Sequence, residues 1–336
     1  LYTRLSDFMK KNYSILLLAC LLFFGGNSFG QYYWNGSGTW TTTSGSNRWS
    51  TTNAAPYTTT WVTNSAAVFN VASSTVTFAT TGVTGITANE NVTVTAAGTM
   101  TTNGTAMTIT VASGKTLDLA GQGISTAAGT GIIKAGTGTL ISANGNTYPG
   151  GFTLNAGTMI VGGVNAMGGG GALNINGGII AASNTRTIPA AKYSGINIGG
   201  NFTFGATSYI SNISFADNVA LGTSVRTVDL AGTAGTSTYT FSGVMSGSGG
   251  GINVGANSGN GILVLSGNNT YTGATTVSGG ELRLNPSANM SLSGACTFNG
   301  GTLATTGIAA TRTITFGSIN ISNNSTLQLL ASTNHT

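Results

Sequence analysis

Residues 261–285, GILVLSGNNTYTGATTVSGGELRLN, constrain the fold more than any other stretch of the chain. Leu263 and Leu265 flank Val264, and Leu282 and Leu284 flank Arg283, so leucines recur with a period of two. That period puts them on one face of a strand and the variable residues on the other. Gly267-Asn268-Asn269 and Ser278-Gly279-Gly280 separate the runs. These residue types accept tight or left-handed backbone. The stretch therefore reads strand, turn, strand, turn, strand, with no run spaced for an amphipathic helix.

The pattern recurs. Residues 140–180 slide onto 263–303 at a constant offset of 123 without a gap, giving 13 identities in 41 positions. Asn146-Thr147-Tyr148 meets Asn269-Thr270-Tyr271, and Asn176-Gly177-Gly178 meets Asn299-Gly300-Gly301. Thr185-Arg186-Thr187-Ile188 returns as Thr311-Arg312-Thr313-Ile314, and residues 115–121 (KTLDLAG) return as 226–232 (RTVDLAG). Self-similarity at long range with small insertions marks a protein of stacked repeats.

These residues resemble the autotransporter-associated β-strand repeat, whose pattern is roughly GxGxLxLxGxNxYxGxTxVxxGxLxL. Residues 259–284 match nearly all of it, and residues 136–161 match more loosely, departing at Pro149 and Phe152. Residues 225–250 are similar to the usual lead-in of the family. The resemblance implies a passenger-type surface or secreted protein that acts as a stalk or scaffold, and as an adhesin. It implies an outer-membrane translocator as partner, with a host surface or a polysaccharide as a further one. A classical member ends in a membrane β-barrel, and nothing after residue 285 has the ten-residue alternating strands of one.

The pattern predicts an all-β fold: a single-stranded, right-handed parallel β-helix, or β-solenoid. A β-sandwich would instead show two-residue hairpin turns at regular spacing. In the solenoid, inward Leu, Val, Ile and Phe stack from turn to turn at about 4.8 Å, and corner asparagines hydrogen-bond along the axis. With 53 glycines, 5% charged and 40% hydrophobic residues, composition agrees. Alternation such as Met107-Thr108-Ile109-Thr110-Val111 separates this chain from a disordered linker of similar polarity.

Before the repeats, the chain divides further. Residues 9–30 read as a signal peptide: Lys10 and Lys11, an apolar run from Ile15 to Phe24, then small residues up to a cleavage between Gly30 and Gln31. Residues 1–8 read as upstream of the natural start at Met9. A second reading takes Leu17-Leu18-Ala19-Cys20 as a lipobox with Cys20 lipid-anchored, but the apolar residues Leu21 to Phe24 argue against it. Residues 31–70 hold all four tryptophans, Trp34, Trp40, Trp49 and Trp61. As structure they are an N-terminal cap over the open apolar end of a solenoid. As function they are a surface platform on which sugars stack. Residues 71–336 are the β-helix repeats, forming one elongated domain that is expected to be truncated at its C-terminus, the sequence being a fragment of a longer protein.

Chemistry is scarce. Without residues 1–30 the net charge is about +3, from eight Lys/Arg and five Asp/Glu, which is no nucleic-acid footprint. Cys296 alone survives export, alternates with Phe298 and reads as a core residue. The one histidine, His335, leaves no His-based triad. Glu90, Asp118, Asp217, Asp229 and Glu281 are isolated, with Asp118 and Asp229 expected to point outward. Glycoside hydrolysis requires two facing carboxyl groups, and a calcium-dependent lyase requires several. Arg186, Arg226 and Arg312 are expected on outward positions, and 166–171 (AMGGGG) lacks the lysine of a phosphate loop. The sequence points away from an enzyme, a cofactor or a soluble metal site. A carbohydrate-binding or carbohydrate-cleaving β-helix is the alternative.

Overall fold

The computed structural model describes residues 30–36, 38–40, 48–71, 74–96, 98–102, 104–143, 145–233, 235–255, 260–308 and 313–331. The signal segment before Gly30, Cys20, Arg312 and His335 lie outside them. All described regular structure is β-strand, stacked as a parallel solenoid.

Strand formation follows the alternation directly. Met107–Val111, Thr139–Ser142 and Phe152–Leu154 bury every second residue and turn the intervening ones toward the surface. Successive turns then superpose apolar on apolar. In one 13-stranded sheet, Leu117, Leu140, Met159, Ile180, Phe204 and Leu230 follow one another in register. A seven-stranded sheet carries Ile213, Tyr239, Leu263, Leu282 and Leu303 in the same way. Aromatic rings join these ladders, with Phe204 stacked on Tyr239 at 5.0 Å and Phe215 on Phe241 at 5.9 Å. The core runs as one cluster from Tyr32 to Leu303.

Outward asparagines form the expected axial ladders. Asn89 Nδ2 donates to Asn70 Oδ1 at 2.6 Å, and Asn70 Nδ2 to Asn53 Oδ1 at 2.7 Å. Asn197 donates to Asn174, and Asn176 to Asn155. Corner glycines are set by the approach of the next turn. Gly151 has φ +87°, and a Cβ there would lie 2.1 Å from the Ala172 carbonyl oxygen.

The cross-section changes along the axis. A second 13-stranded sheet contains Phe152–Leu154 and ends at Met245–Ser246. The seven-stranded sheet begins only at Arg186–Ile188. Thus the middle turns have three faces, and the last turns alternate between two. This explains the repeat unit. Its first and third strands are not separate faces but neighbours in one sheet: Leu140 pairs with Met159, and Leu263 with Leu282. The unit is one turn plus the start of the next. The two copies also lie on different faces. Thr139–Ser142 belongs to the sheet containing Leu117, whereas Ile262–Leu265 belongs to the seven-stranded sheet. The middle strands Phe152–Leu154 and Thr275–Val277 shift by one face in the same sense. Local geometry is kept while the unit is rotated about the axis.

Candidate functional site

The N-terminal end is closed by aromatic packing. Gln31–Trp34 and Gly38–Trp40 form the first rungs of the two long sheets, paired in parallel with Ser65–Phe69 and Ser74–Phe78. Trp49–Ser50 then folds back antiparallel onto Gln31–Trp34 and covers its outer edge. Trp34, Trp40 and Trp49 are fully buried and Trp61 is nearly so. Trp40 sits at the centre, 4.8 Å from Trp61, 4.9 Å from Phe78, 5.0 Å from Trp49 and 5.7 Å from Phe69, all edge to face. Such pairs add roughly 0.5–1.5 kcal/mol each beyond area burial. The Trp61 indole N–H donates to Thr81 Oγ1 at 3.1 Å. Of the two readings of Trp34, Trp40, Trp49 and Trp61, burial of all four rings at the end of the core is the arrangement that a cap requires.

The carboxylates are dispersed over different turns. Glu90 pairs with Lys115, Glu281 with Arg283. Asp118 accepts from the Ala120 N–H at 2.8 Å, and Asp217, buried, from the Tyr193 N–H at 2.7 Å. A polar cleft of about 270 Å³ is lined by Asn260, Glu281, Thr302 and three glycines. It contributes a single carboxylate, already paired, where glycoside hydrolysis uses two.

Two arginines differ from expectation. Arg186 is in register with buried Ile213, and Arg226 with buried Ile252, so both occupy inward ladder positions rather than outward ones. Parity explains it: Arg226 precedes Val228 and Leu230 by steps of two. Arg186 starts the seven-stranded sheet and reaches back to the preceding turn, donating to the Gly162 carbonyl at 2.5 Å.

The sequence reading missed Lys134. It follows Ile132 by two, on inward parity, and is fully buried. Its Nζ donates to the carbonyls of Ala135 at 2.8 Å, Gly136 at 2.8 Å and Ala156 at 3.1 Å. Two successive corners thus converge on one ammonium group. Burial lowers its pKa to about 8.

The repeated Asn-Thr-Tyr triplet has a structural role in both copies. Asn146 Oδ1 accepts from Ile124 N–H at 2.9 Å in the turn before, while Nδ2 donates to Ser142 Oγ at 2.8 Å and to the carbonyls of Ala143 and Ala166, each at 3.1 Å. Asn269 Oδ1 accepts from Met245 N–H at 2.7 Å. Tyr148 stacks on Phe152, and the Tyr271 hydroxyl hydrogen-bonds Thr275 Oγ1 at 2.7 Å. Burial drives both phenols far above their ordinary pKa. Asn146→Ala leaves several buried backbone groups unpaired, at about 1–3 kcal/mol. It is expected to weaken amide protection at Ile124, whose N–H loses its acceptor, read by hydrogen exchange, with the far turns unchanged. Cys296 is fully buried, and burial pushes its thiol up to about 11, which keeps it unreactive.

Comparisons agree with this architecture. The family model for the passenger-associated-transport-repeat matches residues 132–161 and 258–284, the two stretches that carry the Asn-Thr-Tyr corners. The adhesin BmaC autotransporter of Brucella suis biovar 1 (strain 1330) is 30% identical over 196 residues, covering 58% of this chain. The chain spans about 5% of that relative's length. No solved structure matches. The chain is thus a continuous parallel β-solenoid, two stretches of which are similar to the passenger-associated-transport-repeat.

Proposed function

We propose that the chain is an exported, non-enzymatic solenoid, a stalk or scaffold that also takes part in adhesion to a host surface or polysaccharide. One observation carries the reading: a single core continues through every turn from Tyr32 to Leu303, as a spacer requires. The similarity to an adhesin supports the adhesive part. Residues 9–30 direct export and are cut between Gly30 and Gln31, and the first strand starts at Gln31 itself. Residues 31–70 cap the solenoid, residues 71–336 extend it, and an outer-membrane translocator is the export partner. The mature protein is displayed at the cell surface or secreted.

The test places purified protein starting at Gln31 on beads. Attachment to host cells and to immobilised polysaccharides is measured, together with release of soluble sugar. Attachment without release is the expected result. Release of cleaved sugar would overturn the non-enzymatic reading, and beads that stay unattached would overturn the adhesive one.

A further inference from the structure

The polar cleft of about 270 Å³ runs along the corner where the chain enters the seven-stranded sheet. Gly235 precedes Thr238–Phe241, Asn260 precedes Ile262–Leu265, Gly280 precedes Glu281–Leu284 and Gly300 precedes Thr302–Ile308. These are four consecutive strands, each paired in parallel with the next. At about 4.8 Å per strand, the cleft extends about 14 Å along the axis. Elsewhere the next turn forces a corner glycine, as at Gly151. Here a Cβ at Gly235 would meet no described atom within 4 Å, and one at Gly300 only the Ser278 carbonyl oxygen at 3.5 Å. Left-handed backbone, with φ +77° and +104°, keeps both positions glycine, so this space stays open.

The polar groups around that space have hydrogen-bonding capacity to spare. Arg283 Nε donates to Glu281 Oε1 at 2.6 Å, which leaves Oε2 without a partner among the described residues. The Asn260 amide and the Thr302 hydroxyl make no side-chain hydrogen bond among the described residues either. Together they offer a carboxylate acceptor, plus an amide and a hydroxyl that each donate and accept. Sugar hydroxyls use that mixture. Because the carboxylate is paired with a guanidinium, the site carries no net charge, and an acidic sugar would be repelled at Oε2. No aromatic ring lines the cleft among the described residues, so recognition rests on hydrogen bonds rather than on stacking.

We propose that this cleft holds a segment of a neutral oligosaccharide, whose hydroxyls bond the Asn260 amide, the Thr302 hydroxyl and the free Glu281 oxygen. The ligand class rests on the adhesive reading above, to which the cleft gives a site. Protein starting at Gln31 is titrated with linear trisaccharides of glucose, galactose, mannose and N-acetylglucosamine, and with trigalacturonate as the acidic comparison. Binding is followed by amide chemical shifts. The expected result is saturable shifts at Asn260, Glu281 and Thr302 with at least one neutral trisaccharide and none with trigalacturonate. Glu281→Gln keeps the shape and removes the charged acceptor, whereas Thr302→Phe fills the space from an outward strand position. Each is expected to weaken binding about tenfold, equivalent to about 1.4 kcal/mol. Circular dichroism of both variants is expected to match the parent. The proposal is overturned by an absence of shifts with every neutral trisaccharide, by shifts confined to other residues, by preference for trigalacturonate, or by variants that bind as tightly as the parent. Parent beads that still attach to host cells in those cases leave the adhesive reading standing. Cleft binding by protein whose beads attach to nothing overturns that reading alone.

Discussion

Trp40→Ala is expected to unravel the N-terminal turns while leaving the distant ones folded. The indole is fully buried and contacts Trp49, Trp61, Phe69 and Phe78. Truncation removes its transfer energy and leaves a cavity that rigid neighbouring rings cannot fill, at about 3–5 kcal/mol. In a solenoid each turn contacts only its neighbours, so the loss stays local. Hydrogen exchange is expected to show lost protection in Ser65–Phe69 and Ser74–Phe78, with Glu281–Leu284 unchanged. Thr39→Ala, at an outward position on the same strand, is the control with little effect. Uniform loss of protection along the whole chain would show that the aromatic packing is not a local device.

The second large effect is a pH dependence arising from Lys134. Its folded pKa is about 8, against 10.5 for an ordinary lysine, because burial disfavours the charged form. Below the folded value both states are protonated, and the fold bears the full cost of the buried charge, which the three carbonyls offset in part. Between the two values the unfolded chain keeps its proton and the folded chain does not. The unfolded state therefore binds more protons, and stability rises with pH through that window. The slope reaches about 1.4 kcal/mol per pH unit and sums to about 3 kcal/mol. Lys134→Met fills a similar volume and cannot titrate. The stability of the parent minus that of the variant is expected to climb as pH rises from 8 to 10.5. Buried Tyr148, Tyr193 and Tyr271 act in the opposite sense at high pH, but they are common to both proteins and cancel in the difference. A difference that stays flat would falsify the assignment of a buried, perturbed ammonium.

Several features were legible before any coordinates. The leucine alternation around Leu263 and Leu282 placed both residues in the core, where they stack on one another. Cys296 could be placed beside Phe298 on the inward face for the same reason. The asparagine ladders followed from corner chemistry. The arginines were misplaced because residue type was allowed to override parity: a charged side chain suggested the surface, although Arg226 keeps step with Val228 and Leu230. Lys134 was passed over for the same cause. The carbonyls that stabilise its ammonium group come from Gly136 and Ala156 as well as Ala135. Ala156 lies 22 residues away in sequence, in the next turn, and no local pattern records that approach.

The sequence alone determined that strands form, which side of each strand is apolar, and that the chain repeats, because these depend on alternation and turn residues within a few positions. Only the tertiary structure decided which face each repeat occupies, how many faces a turn has, and which polar groups lie inside. Those depend on how many residues each corner uses before the chain meets the turn below, and on contacts between side chains separated by a whole turn.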